Sequence, residues 1–383
     1  MDIPQIVRKV NTKPVNTVLI YSVVSLLGLN YLLYSFFDLG SVRNLVRVAA
    51  VGLMMILLLF RLTEGNIRRR QVLMLLLAAW QILAGGTNGL NIAFLLILTA
   101  AAAGYQECRI TTVVFWVMIG LTLIMLGSLL LGIEVNEVYT VGTRTRHKLG
   151  FVNVNAASMF LFTTLASYLI WRDKQAKLVE LGAAMGLELL IFVYTDSRTP
   201  LLALVLMIAL YLLIPRLPAK AVNICCSVGI ALLFLTSYLW VLPAVNSPLV
   251  NTLLSLRPMY CDEYFRSQNA LTFLLGGTGV PELDNGYLLL LFNVGVAVYT
   301  AIYFAIQSAV KNMANRSEYM KLSFVIAMLA VSVLEGAALR PELLCAPLMW
   351  VIVLEALPGA GKESLLLAWS TDWLASRLRK DRQ

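Results

Sequence analysis

A chain of 383 residues with 60% hydrophobic residues, only 13% charged residues and a mean hydropathy of +0.81 has too little polar surface for a soluble globular protein. Its net charge of +9 comes from Lys and Arg that lie mainly between apolar segments, which is typical of membrane topology and not of nucleic-acid binding. Five scattered cysteines form neither a metal-ligand spacing nor a disulfide framework. We therefore expect an all-α, polytopic integral membrane protein, with residues 1–383 forming a single membrane domain.

Apolar segments that can cross the bilayer as helices recur along the whole chain, because about 20 residues of helix span its hydrocarbon. Twelve spans are predicted, at 15–37, 45–60, 71–85, 90–104, 110–131, 154–170, 178–194, 201–214, 222–241, 286–306, 322–339 and 343–357. No small-residue cleavage site follows the first apolar segment, so we predict that it is a retained span and not a signal peptide.

The placement of Lys and Arg predicts the orientation, since these residues are retained on the cytoplasmic side. With both termini cytoplasmic, 21 of the 30 Lys and Arg lie inside. The segment 242–285 then becomes a long extracytoplasmic loop between helices 9 and 10, and we expect short helices over the outer face there. The segment 359–383 is predicted to be a cytoplasmic basic amphipathic tail.

Nine basic residues fall on the outer side, where arginine opposes the usual charge preference, so a bound anion is a reason for their position. Guanidinium groups that converge from several helices suit a diphosphate, because each presents a planar fork of donors. We predict this role for Arg144, Arg146, Arg198 and Arg257, with solvated loop charge or lipid-headgroup contact as the alternative. For Arg43, Arg47, Arg266 and Arg340 that alternative is favoured.

Two candidates for proton transfer lie near these arginines. His147 is the only histidine in the chain, and histidine ordinarily titrates near neutral pH. Asp196 lies in the polar turn 195–200, where it would pair with Arg198 or face a wet cavity. The alternatives are a loop histidine without a task and a plain helix-capping turn.

The order of several short motifs resembles the O-antigen polymerase and ligase superfamily, the Wzy-type polysaccharide polymerases. The motifs are Arg146-His147 before Leu149-Gly150-Phe151 and Asn155, Ser197-Arg198 between two spans, Arg257 in the long loop, and Gly277-Thr278-Gly279 before Asp284-Asn285-Gly286-Tyr287. The resemblance covers about 142–357 and the overall topology.

This resemblance implies a metal-independent glycosyltransferase of the bacterial cytoplasmic membrane that needs no cofactor. Its substrate would be an undecaprenyl-pyrophosphate-linked oligosaccharide, polymerised at the outer face into capsule, exopolysaccharide or O-antigen. Membrane lipids, and a flippase and chain-length regulator, are the implied partners. By position, the resemblance implies that Arg146, Arg198 and Arg257 hold the pyrophosphate, that Asp284, Asn285 and Tyr287 lie near the sugar, and that Glu335 is a buried carboxylate partner. We add Arg144 to the pyrophosphate ligands and Asn155 to the sugar contacts, and the candidate bases are His147, Asp196 and Glu335.

The chain departs from the family pattern at two places. Relatives often carry His-Pro-Asn where this chain has Asn153-Val154-Asn155, and the long loop contains no histidine, whereas the ligase branch is thought to use one there. These departures leave the identity of the catalytic base open and favour a polymerase over a ligase.

A polysaccharide or lipid transporter is the main rival function, but the charged residues are concentrated at the outer boundary and the two halves of the chain show no clear repeat. A third alternative is a structural or assembly subunit without activity, but that function would not explain the arginines on the outer side.

Overall fold

The computed structural model describes residues 13–37, 39–63, 67, 69–84, 86–102, 110–141, 144–242, 247–253, 257–277, 280 and 283–358. The predicted tail at 359–383 lies outside the described residues. Large apolar side chains such as Leu59, Leu76 and Leu130 are exposed on the helix surfaces. Such a surface suits hydrocarbon and not water, because helices satisfy their own backbone hydrogen bonds.

Helices dominate the fold and appear in the order expected from the apolar segments. They are α1 (Lys13–Ser35), α2 (Gly40–Thr63), α3 (Arg69–Ala84), α4 (Gly86–Ala102), α5 (Ile110–Leu130), α6 (Val154–Arg172), α7 (Leu178–Thr195), α8 (Arg198–Leu213), α9 (Ala219–Leu239), α10 (Pro248–Leu253), α11 (Arg257–Ser267), α12 (Ala270–Leu275), α13 (Gly286–Asn315), α14 (Tyr319–Val331) and α15 (Cys345–Ala356). Short 3-10 turns occupy Asp173–Gln175, Ile214–Arg216 and Gly336–Leu339.

Within the described residues, eight helices are long and apolar enough to cross a membrane, namely α1, α2, α5, α6, α7, α8, α9 and α13. The chain is thus a multi-pass helical membrane protein. The other four predicted spans contain α3, α4, α14 and α15, which have 12 to 17 residues. Helices of that length rise only about 18–26 Å, less than the hydrocarbon thickness.

The structure differs from the expected all-α fold by one two-stranded antiparallel hairpin between α5 and α6. It pairs β1 (Val138–Val141) with β2 (Arg144–His147), with Tyr139 opposite Arg146. The Gly150-Phe151 pair after the hairpin contacts the end of α1. A Cβ on Gly150, which has a φ of +81°, would lie 2.5 Å from a ring carbon of Phe36, so only glycine fits. Phe151 packs among three aromatic rings, those of Tyr31, Phe36 and Phe160.

The long loop before α13 contains the three short helices α10, α11 and α12. The end of α12 packs against a break in α13, where Gly295 has a φ of +77°. There the Gly277 amide donates to the Phe292 carbonyl at 2.6 Å, and the Gln81 side chain donates to the Asn293 carbonyl at 2.8 Å. These bonds satisfy backbone groups near the break, which is how an interrupted helix is tolerated in a membrane.

The predicted span 322–339 is wrong as a continuous helix. Helix α14 ends at Val331, and the chain continues through an irregular segment and the 3-10 turn before α15 begins. The Trp350 indole donates to the Ala338 carbonyl at 2.8 Å, which satisfies one freed backbone group. In a membrane protein, irregular backbone is tolerated where it lines a cavity, and residues between 335 and 343 do so.

Candidate functional site

A polar cavity of about 590 Å³ lies at one end of the helix bundle. Its wall combines the last two turns of α1, the first two turns of α2, α4 and α6, the start of α11, Asp284, and residues between 335 and 343. The charge-based topology assigns all these segments to the outer face. Over the described part of the chain, the charged residues of the wall are Arg43, Arg47, Arg257, Arg340, Asp284, Glu335 and Glu342. Four positive and three negative groups give the wall a net charge of +1 when all are ionised.

Arg257 joins three segments of the wall from its position at the start of α11. Its Nε lies 2.9 Å from the Asp284 carboxylate, and its Nη1 donates to the Leu334 carbonyl at 3.0 Å. Asp284 is half exposed, whereas the Arg257 side chain is mostly buried. The sequence analysis predicted that Arg257 and Asp284 contact different parts of the substrate, and the structure brings the two side chains together in one polar cavity.

Glu335 lies just beyond the end of α14, where its amide donates to the Val331 carbonyl at 2.9 Å. Burial raises the pKa of its carboxyl above the ordinary glutamate value. The positive charges of Arg257 and Arg340 and a hydrogen bond from Thr199 oppose that rise, and Asp284 adds to it. A half-buried carboxyl with a raised pKa beside guanidinium groups is suited to proton exchange.

The opposite wall of the cavity comes from α1 and α2. Asn30 is fully buried and lines the cavity. The guanidinium carbon of Arg43 lies 4.4 Å from the centroid of the Tyr34 ring, and Arg47 forms an ion pair with Glu342. This wall thus offers an amide, an aromatic ring and charged groups within one cavity.

Arg146 lies behind the wall and braces it. Its Nε donates to the Thr195 carbonyl at 3.0 Å, and its Nη2 donates to the Asn155 Oδ1 at 3.1 Å and approaches the Asp196 carbonyl at 3.4 Å. Asn155, which lines the cavity, also accepts a hydrogen bond from the Ser197 hydroxyl at 3.1 Å. The arginine therefore connects the hairpin, the end of α7 and the start of α6.

The remaining residues of the predicted arginine and base set lie elsewhere at this end. His147 pairs through Nδ1 with the Asn136 amide at 2.9 Å, and its ring packs edge-on against Tyr194. Asp196 caps α7 in a left-handed conformation, and Arg198 is exposed at the start of α8. None of the three is among the described residues that line the cavity. Arg144 begins β2, and its side chain lies outside what the structure describes.

Two predicted sugar contacts occupy structural positions in the helix core. Asn285 is fully buried and caps α13 by accepting from the amides of Tyr287 and Leu288. Tyr287 is buried, packs edge-on against Phe234 and donates its hydroxyl to the Leu329 carbonyl at 2.8 Å. These contacts explain the Asn285 and Tyr287 pair by helix capping and packing, without a ligand.

Sequence reasoning missed several residues of the cavity. Arg43, Arg47 and Arg340 were interpreted as solvated charges, yet all three line the wall. Their position on the outer side, against the usual charge preference, was the available signal. Nothing in the sequence indicated Glu342 or Asn30, because their role depends on which helix ends meet.

No family model matches this chain, and neither the curated proteins nor the solved structures contain a match to it.

Proposed function

We propose that this protein polymerises undecaprenyl-pyrophosphate-linked oligosaccharides into surface polysaccharide by glycosyl transfer at the outer face of the bacterial cytoplasmic membrane. The observation that carries the proposal is the cavity, in which Arg43, Arg47, Arg257 and Arg340 meet a half-buried carboxyl at one end of a multi-pass bundle. Its depth and mixed charge suit a ligand with a phosphate group and a polar sugar.

The proposed reaction needs little beyond charge stabilisation and positioning. A hydroxyl group of the acceptor attacks the anomeric carbon of the donor, the bond from that carbon to the pyrophosphate oxygen breaks, and the hydroxyl proton passes to a base. Arg257 and Arg340 border the carboxyl of Glu335, so they are the groups that stabilise the departing pyrophosphate there. Glu335 is the base that the cavity supports among the three candidates, because His147 and Asp196 lie away from the wall.

The proposed topology has twelve spans, with α3, α4, α14 and α15 among them, and both termini cytoplasmic. It is supported by the cavity, since helix ends assigned to one face by charge meet around a single polar space. The extracytoplasmic loop between the ninth and tenth spans, which are α9 and α13, supplies Arg257 and Asp284 to that space. A flippase that delivers the lipid-linked unit, a regulator of chain length and membrane lipids are the proposed partners.

Genetic complementation tests the proposal. The gene is deleted and replaced by the wild type, by Arg257→Ala or Glu335→Gln, or by Arg266→Ala as a control. Arg266 lies on the same helix as Arg257 but is mostly exposed and paired with Asp262. Surface polysaccharide length and the lipid-linked repeat pool are measured at matched protein levels.

A polymerase predicts single repeats on the surface and repeat units accumulating on the outer face in the deletion strain, with rescue by Arg266→Ala but not by the cavity variants. Full-length chains that remain attached to undecaprenyl pyrophosphate would instead identify a ligase. Repeat units that accumulate on the cytoplasmic face would identify a transporter.

A further inference from the structure

Asn30 is a buried amide that has no hydrogen-bonding partner among the described residues. It lies on α1 five residues before Ser35, about 7.5 Å below the end of the helix. Its side chain is fully buried and lines the cavity, yet neither Nδ2 nor Oδ1 has a hydrogen-bond partner among the described residues. Burying an amide without partners is costly, so a ligand in the cavity towards which the Asn30 side chain turns would supply the missing hydrogen bonds.

The chemistry of an amide distinguishes between two kinds of ligand. A phosphate oxygen accepts hydrogen bonds from Nδ2 but has no proton for Oδ1 when it is ionised. A hydroxyl group both donates and accepts, so two neighbouring hydroxyls of a sugar ring satisfy both atoms of Asn30 at once. The amide therefore favours a saccharide over an anion.

The surroundings of Asn30 support the same ligand. Arg47 is already paired with Glu342, so its guanidinium is engaged by the protein itself. Tyr34 is half exposed and lies under the Arg43 guanidinium. We propose that the α1 and α2 wall of the cavity is a saccharide subsite, in which the Asn30 amide binds neighbouring hydroxyls of one sugar ring.

This subsite deepens the proposed function and rests on it for the identity of the sugar, which is part of the lipid-linked oligosaccharide. The Asn30 wall then holds the ring, while Arg257, Arg340 and Glu335 act across the cavity on the bond being transferred. Asn155 and Asp284 also line the cavity and are further polar contacts for the sugar.

Direct binding tests the subsite separately from turnover. The purified full-length protein in nanodiscs is titrated with the free repeat-unit oligosaccharide of its own strain, without lipid or phosphate, and separately with inorganic pyrophosphate. Asn30→Leu keeps the approximate size of the side chain and removes both polar atoms. Asn16→Leu is the matched control, because Asn16 is buried on the same helix about 21 Å away.

We expect Asn30→Leu to weaken oligosaccharide binding about tenfold, while pyrophosphate binding and the Asn16→Leu protein stay unchanged. A loss of less than about threefold would overturn the subsite. An equal loss of pyrophosphate affinity, or a wild type that does not bind the oligosaccharide, would overturn it as well. If Asn30→Leu does not fold, Asn30→Ala replaces it, because alanine also removes both polar atoms and its smaller side chain cannot clash. The same threefold threshold for the loss of oligosaccharide affinity then applies.

Polymerisation by the same samples separates the two proposals. A wild-type protein that binds the oligosaccharide through Asn30 but does not polymerise lipid-linked repeats retains the subsite and refutes the polymerase. A protein that polymerises while Asn30→Leu binds the oligosaccharide normally retains the polymerase and refutes the subsite.

Discussion

Replacing Arg257 with alanine is the most informative perturbation, because this residue makes contacts that separate a structural effect from a catalytic one. The ion pair with Asp284 is exposed on the carboxylate side, so solvent screens it and its contribution is about 0–1 kcal/mol. The hydrogen bond to the Leu334 carbonyl comes from a charged donor and is worth about 1.5–3 kcal/mol. The free energy of unfolding should therefore fall by about 1.5–4 kcal/mol.

Loss of charge stabilisation at the departing pyrophosphate has a different consequence. Removing one such donor raises a reaction barrier by about 2–4 kcal/mol, so the turnover per folded molecule should fall about 30-fold to 1,000-fold. Arg257→Lys should be intermediate, because an ammonium group keeps the positive charge but loses the planar fork that reaches Asp284 and Leu334 together.

The assay is polymerisation of purified lipid-linked repeat units by protein in nanodiscs, with the rate divided by the folded fraction from a thermal unfolding curve. Arg266→Ala is the control, since its ion pair with Asp262 lies within α11 and away from the cavity. If Arg257→Ala keeps more than about a third of the wild-type rate per folded molecule, Arg257 does not stabilise the leaving group.

Three further predictions concern Arg146 behind the cavity wall, the Glu335 carboxyl, and Gly295 at the break in α13. Arg146→Ala should lower the free energy of unfolding by about 2–4 kcal/mol, because it removes hydrogen bonds to Thr195 and Asn155; Arg146→Lys should restore little, and chemical unfolding measures both. Burial raises the pKa of Glu335 in the folded protein above 4.5, so protonated Glu335 stabilises the fold fully below about pH 4.5 and this stabilisation is lost as the pH rises through the folded pKa. Activity should rise over the same pH range, because the base must be ionised. Glu335→Gln should abolish this limb of the pH–rate profile, and an unchanged profile would exclude Glu335 as the base. Gly295→Ala should cost at least about 1–3 kcal/mol in thermal unfolding, since its φ is +77° and a Cβ would lie 2.3 Å from the Leu274 carbonyl, whereas Gly229→Ala, with open space around it, should be neutral or slightly stabilising.

How far the location and contacts of a residue can be predicted from sequence differs from one residue to the next. Arg257 and Glu335 could be placed from sequence, because one lies in a polar outer loop and the other is a carboxylate at the end of an apolar segment. Arg146 was predicted to bind the pyrophosphate, whereas in the structure its guanidinium donates hydrogen bonds to the Thr195 carbonyl and to Asn155 behind the wall. A motif identifies such a residue without showing whether it contacts a ligand or the protein itself.

The differences between the sequence predictions and the structure have a common physical reason. Asn285 and Tyr287 are polar residues at a helix start, and their capping bonds and burial appear only once α13 packs against its neighbours. The hairpin at 138–147 was missed because its strands are only four residues long and lie in a segment interpreted as a loop. The end of α14 at Val331 was missed because the apolar pattern continues to Leu339 while the backbone turns to line the cavity.

The sequence by itself determined the membrane class, the order of the helices and their approximate ends. Hydropathy is a local property, and each span is set by its own apolar residues and by the cost of leaving backbone groups unpaired in hydrocarbon. The membership of the cavity was decided only by tertiary structure. Asn30, Arg47, Glu342 and Arg257 are distant in sequence, and their proximity depends on how side chains pack between helices, which no local pattern records.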